Sequence, residues 1–247
     1  MIMRIGIFIL GILLLVEPAR LGAQTTQPHQ STTQPVLKSA GEMKMHEQFM
    51  ELAKKGDIDV VFLGDSITDF FRNRGKDVWD QYFAPIKAVN FGISGDRTQH
   101  VLWRIDNGEL TGFDAKVIVL MLGTNNLSVP NSVRNTNDET IDGMKLVVAD
   151  IRSHQPKARL LLLAIFPRGK SPTNPYRNDL KVVNGALAQL DDGKNIFFMD
   201  IGSNFLNPDG SLKTELFIDG NLHPNAAGYK VWADAIIGKV KELMAMP

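Results

Sequence analysis

Cysteine is absent from the 247 residues, which excludes disulfides and thiol catalysis. Net charge is lacking too: 27 Lys and Arg balance 27 Asp and Glu. No basic cluster upsets that balance, which argues against nucleic acid as a partner. No apolar run reaches the roughly 20 residues of a membrane-spanning helix. The chain has no Gly-x-Ser-x-Gly nucleophile elbow and no phosphate-binding Gly-x-x-x-x-Gly-Lys-Ser/Thr loop. His46-Glu47 lacks the second histidine of a zinc-protease helix, and no histidine–carboxylate cluster points to a metal.

What is present begins with Arg4, about twelve mostly apolar residues over 5–16, and then Gly22-Ala23. A charged start, a short apolar run and a small-residue exit form the layout of a secretory signal peptide. Residues 1–23 are therefore expected to be removed after Ala23, leaving a secreted or periplasmic protein without stable membrane insertion. An uncleaved N-terminal anchor is the alternative. Cleavage removes two basic and one acidic side chain from 27 of each, leaving 25 against 26. Residues 24–40 are rich in Gln, Thr, Ser and Pro and read as a flexible linker, because they have too little apolar surface to offset ordering entropy. Residues 41–247 suffice for one domain with a sizeable core.

Within that domain apolar runs alternate with helix-period segments. Residues 57–63, 87–90, 116–122, 159–165 and 195–199 read as strands, and the third and fourth are continuous apolar runs of the kind covered on both faces. Helices are expected over 46–54, over 138–153 with Asn137 as N-cap, over 176–190, and from an Asn225 cap to about 244. The helix over 138–153 would bury Ile141, Met144, Val148 and Ile151. The stripe over 176–190 is Leu180, Val183, Leu187 and Leu190, and the last helix turns Tyr229, Trp232, Ile236, Val240 and Leu243 inward. Strand–helix alternation with right-handed crossovers gives an α/β fold, a parallel sheet of about five strands between two helical layers. Chemistry in such sheets lies beyond the carboxyl ends of the strands. Ser66, Gly95 and Asn125 each follow a predicted strand.

A serine hydroxyl needs a neighbouring base to become a nucleophile, and the base needs an acid or acceptor to orient it. Ser66, in Gly64-Asp65-Ser66-Ile67-Thr68, sits at a strand-to-helix turn and reads either as nucleophile or as the N-cap of the next helix. Among five histidines, His29 lies in the linker, His46 opens a helix, and His100 and His154 lie in or at the end of amphipathic helices, which suits solvation or packing. His223 lies in a loop before a helix, beside Pro224, with Asp219 upstream. Donors for an oxyanion are the N–H of Ser66, the N–H of Gly95 and the amide of Asn125. Asn126, Ser94 and Asn90 are further candidates, and Asn125 could instead bracket a turn.

Taken together, Gly64-Asp65-Ser66, the stretch from Asn90 to Asp96, Gly123-Thr124-Asn125 and His223-Pro224-Asn225 resemble the four blocks of the SGNH (GDSL-type) hydrolases. The stretch 90–110 is similar to the catalytic subunits of intracellular platelet-activating-factor acetylhydrolase. The resemblance spans most of residues 58–240. It implies a flavodoxin-like three-layer α/β/α fold and a serine esterase without metal or cofactor. Ser66 would be its nucleophile and His223 its base, and Ser66, Gly95 and Asn125 would form the oxyanion hole. The family's acid stands three residues before the histidine, where this chain has Gly220. Asp219, four residues before it, is the only carboxylate between Glu215 and His223.

The expected activity is hydrolysis of small acyl oxygen esters, acetyl above all, on a small molecule or glycan. A lysophospholipase or thioesterase for longer chains is the alternative within enzymes; it would need an apolar groove, for which Phe70, Phe71, Trp79, Phe166 and Leu127 are candidates. The alternative outside enzymes is a non-catalytic carbohydrate-binding protein.

Overall fold

The structure is a computed structural model and describes residues 30–128, 134–218 and 221–246. Five strands form one parallel sheet: β1 (Val60–Gly64), β2 (Ala88–Gly92), β3 (Val117–Met121), β4 (Arg159–Leu163) and β5 (Ile196–Met199). Their spatial order is β2-β1-β3-β4-β5. β1 and β3 are buried along their whole length, as continuous apolar runs demand when helices cover both faces.

Alternate residues of each strand enter different cores. Val61, Leu63, Ile118, Leu120, Leu160 and Leu162 face one helical layer, while Val60, Phe62, Val117, Val119, Leu161 and Leu163 face the other. The first layer holds α1 (Ala40–Ala53), α4 (Thr98–Asp106), α5 (Asn137–His154) and α6 (Pro175–Ala188); the second holds α3 (Lys76–Tyr82) and α7 (Ala226–Ala245). A four-residue helix, α2 (Ser66–Asp69), follows β1 directly. In the second core Phe71 meets Tyr229 and Trp232 at centroid distances of 4.2 and 4.8 Å. The inward stripe read on α7, from Tyr229 to Leu243, is buried throughout.

Element boundaries differ from the sequence reading where capping decides them. α1 begins six residues earlier than expected because Ser39 caps it, accepting from Glu42 N–H; His46 is therefore interior, where it bonds Glu109 and the Asn107 carbonyl. α5 is capped by Thr136 rather than Asn137, through a reciprocal capping box with Glu139. Of the stretch read as a linker, residues 30–40 are described: 30–39 pack against the domain and Ala40 already belongs to α1. Thr32 is buried, its hydroxyl donates to the Glu139 carbonyl at 2.7 Å, and Val36 N–H donates to the Gln99 carbonyl at 3.1 Å. Composition weighs apolar burial alone, whereas this segment is held by polar pairing with the starts of α4 and α5.

Candidate active site

The chain steps from β1 to β2 on one side and then crosses back to β3 on the other, so the direction of winding reverses at β1. Open parallel sheets bind ligands at such a switch point, beyond the carboxyl ends of the strands. Gly64 ends β1 there, and a Cβ on it would lie 2.4 Å from both the Met121 carbonyl oxygen and Thr68 Oγ1. Only glycine permits that approach of the turn to β3.

Asp65, not Ser66, caps α2: its carboxylate accepts the Ile67 N–H at 3.0 Å. The capping reading of Ser66 is thereby overturned, and the serine hydroxyl instead lies 3.0 Å from His223 Nε2. At that distance a hydroxyl proton can pass to an imidazole acceptor. Ser66 is also the first residue of its helix, so its N–H is a donor that the helix leaves unbonded.

His223 is held by the loop between Phe217 and Asn225. Phe217 and Pro224 form an antiparallel bridge, and Ile218 N–H donates to the His223 carbonyl at 3.0 Å. Asn225 then caps α7, its side chain accepting from Gly228 N–H at 3.1 Å. The imidazole packs on Phe70 with centroids 5.0 Å apart. Asp219 and Gly220 lie outside the described residues.

The loop after β2 brings Gly95 to the same edge. Asp96 N–H closes a turn on the Ile93 carbonyl at 3.1 Å, and Gly95 takes φ +82°, a region glycine enters without steric cost. Neither Gly95 N–H nor Ser66 N–H has an acceptor among the described residues. Asn125, just after β3, turns its side-chain amide into this loop, Nδ2 donating to the Asp96 carbonyl at 2.8 Å. One amide hydrogen is thus fixed and the other remains available.

The other candidate donors are engaged elsewhere. Asn126 is fully buried and ties Thr98, Gln99 and Asn135 together. Asn90 donates to the Thr68 carbonyl and accepts from Gly92 N–H. Ser94 N–H and Oγ–H both donate to Asp69. Of the remaining histidines, His100 accepts the Arg97 N–H, and burial lowers it to about 4. His154 sits on the Asp150 carbonyl, while His29 lies outside the described residues.

Asp69 is a residue that sequence reasoning missed. It joins α2 to the Gly95 loop through Ser94, and Arg72 locks it there by bonding Asp69 and the carbonyls of Asn90 and Gly92. Its signal was spacing alone, one helical turn after Ser66 with Arg72 one turn further. The buried Asp65 carboxyl beside Ser66 is pushed up to about 7, chiefly by burial and against the Ile67 hydrogen bond. Among the described residues no three His, Asp or Glu side chains converge as metal ligands would.

The Ser66–His223 pair with free donors around it is accompanied by similarity along the chain. Residues 62–231 match the GDSL-like lipase/acylhydrolase family. The chain belongs to that family. It is 37% identical over 188 residues to the rat platelet-activating factor acetylhydrolase IB subunit alpha2, covering 76% of this chain and 78% of that protein. The human alpha1 subunit is 34% identical over 204 residues, covering 82% and 84%. Among solved structures, a GDSL-like lipase from Bacteroides thetaiotaomicron superposes with a TM-score of 0.65 at 18% identity, covering 82% of this chain and 98% of that one. An acetylxylan esterase from Geobacillus stearothermophilus, solved as its catalytic mutant, gives 0.60 at 18% identity, covering 77% and 95%. This GDSL family member is therefore an ester-hydrolysing enzyme of three-layer α/β/α fold.

Proposed function

We propose that this family member is an exported serine esterase that removes small acyl groups, acetyl above all, from oxygen esters. The observation that carries the reading is the 3.0 Å contact from Ser66 Oγ to His223 Nε2, set among unbonded donors. Ser66 Oγ attacks the ester carbonyl carbon as His223 takes its proton. The carbonyl oxygen becomes an oxyanion facing Ser66 N–H, Gly95 N–H and the second amide hydrogen of Asn125. Collapse breaks the bond to the alcohol oxygen, which leaves with the proton from His223. Water, deprotonated by the same imidazole, then releases the acid and restores Ser66. Asp219 is the acid assigned to orient His223.

The preference for a short acyl group is supported by where the apolar candidates went. Phe71, Phe166 and Leu127 are core residues, and Trp79 packs on Phe62 at a centroid distance of 5.0 Å. Phe70 packs its ring on His223, while the other four are taken up by the core and so are not supports for a long acyl groove among the described residues. The names of the rat and human relatives point to acetyl esters as well. Export rests on the layout of residues 1–23, which lie outside the described residues; no described helix is long and apolar enough to cross a membrane.

The alcohol half is assigned to acetylated glycans, as export of the protein suggests. Platelet-activating factor is the second reading, favoured by the relatives' names. Acetyl, octanoyl and palmitoyl p-nitrophenyl esters, acetylated xylan, acetylated sugars and platelet-activating factor form the deciding panel. Hydrolysis of acetyl esters well ahead of octanoyl and palmitoyl esters supports the acyl assignment, and equal or faster palmitoyl hydrolysis contradicts it.

A further inference from the structure

We infer that Lys38, from the segment preceding α1, is a positioning residue of the oxyanion hole, holding and polarising the peptide that presents Gly95 N–H. The inference rests on Gly95 being an oxyanion donor. Lys38 Nζ donates to the Ser94 carbonyl oxygen at 2.9 Å and pairs with the Asp96 carboxylate. It therefore clasps the residues on both sides of Gly95.

The Ser94 carbonyl and the Gly95 N–H belong to one planar trans peptide and point in opposite directions. A cation fixed on the oxygen sets the direction of the N–H at the far end. It also draws electron density through the amide, making the N–H a stronger donor, as hydrogen bonds in a chain do. Gly95 has particular need of such a brace, because at φ +82° without a side chain it contributes little stiffness of its own.

The brace is itself anchored. Asp96 is fully buried and pairs with the equally buried Arg104 at 3.0 Å, and Arg104 also bonds Glu109 and the Phe91 carbonyl. Lys38 N–H donates to Glu42 in the first turn of α1, so its backbone is fixed where the helix begins. The segment around Lys38 is docked through Thr32, Val36 and Gln30. The Lys38 side chain is about one-quarter exposed (24%), and without its charge the buried Asp96 carboxylate keeps Arg104 as its remaining cation, so thermal stability is read beside kcat for each variant.

The test compares K38M, K38Q, K38R and S66A in the full chain, with kcat and KM on p-nitrophenyl acetate and binding of an aryl boronic acid, which forms a tetrahedral anion on a serine. Loss of a well-placed oxyanion donor costs about 100- to 1,000-fold in kcat, and loosening one costs a share of that. K38M is expected to lose roughly tenfold or more in kcat with KM within about twofold, and to lose boronate affinity in step. K38R restores most of both, and K38Q falls between because it keeps a donor without the charge. The inference is overturned if K38M keeps wild-type kcat, or if K38M and K38R lose kcat equally and in proportion to thermal stability. Inactive S66A beside an unimpaired K38M removes the lysine inference alone, whereas active S66A removes the catalytic reading beneath it.

Discussion

Asn125 Nδ2 donates to the Asp96 carbonyl at 2.8 Å, so the side chain at the end of β3 is oriented by the loop that follows β2. The loops after two separate strands thus share one hydrogen bond, and the amide hydrogen not used in it is the one assigned to the oxyanion in the proposed reaction. Asn125→Ala is expected to lower kcat about 100- to 1,000-fold with little change in KM, because the donor acts on charge that develops only in the transition state. Steady-state kinetics on p-nitrophenyl acetate check this, and a change confined to KM would assign Asn125 to ground-state binding.

His223 and Ser66 act as a unit in the proposed reaction, so their losses should not add. His223→Ala is expected to reduce kcat by roughly a thousandfold or more, and the S66A/H223A double variant should be no slower than the slower single variant. His223 is only partly buried, which predicts a small change in thermal stability for the same substitution. Multiplicative losses in the double variant would place the two residues in separate roles.

Burial, followed by the nearby Asp96 charge, raises Glu42 from 4.5 to about 7. A carboxyl whose folded value is raised holds its proton more tightly in the native state. Its contribution to stability is therefore complete below about 4.5 and is lost as pH climbs through about 7. Glu42→Gln lacks this titration, so the Tm of the wild type should fall relative to that of E42Q between pH 4.5 and 8. Thermal denaturation of both proteins across that range is the check, and a pH-independent difference would contradict the assignment.

The sheet was legible chiefly through its central strands β3 and β4, continuous apolar runs buried on both faces, whereas the edge strands β2 and β5 are shorter signals and less buried. Helix starts were less so. Thr136 and Asn137 are both capping types, and the reciprocal Glu139 bond selects Thr136; Ser39, which starts α1 six residues before the expected helix, sits in a stretch read as linker. At the site, Ser66, Gly95, Asn125 and His223 could be named because each stands in a short motif next to a strand end or helix start. Asp69, Arg72 and Lys38 carry no motif; their roles come from charges and carbonyls that meet only in the folded chain, Lys38 and Asp96 across 58 positions. Residues 30–39 misled for a related reason, since their docking is polar and composition registers mainly apolar burial.

The central claim is that Ser66 is the nucleophile, and covalent labelling tests it most directly. The purified protein is treated with a fluorophosphonate, its intact mass is measured and the modified peptide is mapped. One equivalent of label on Ser66, with loss of esterase activity in step and no label on Ser66→Ala, is the result predicted. Label on a different residue, or esterase activity undiminished in Ser66→Ala, would contradict the account.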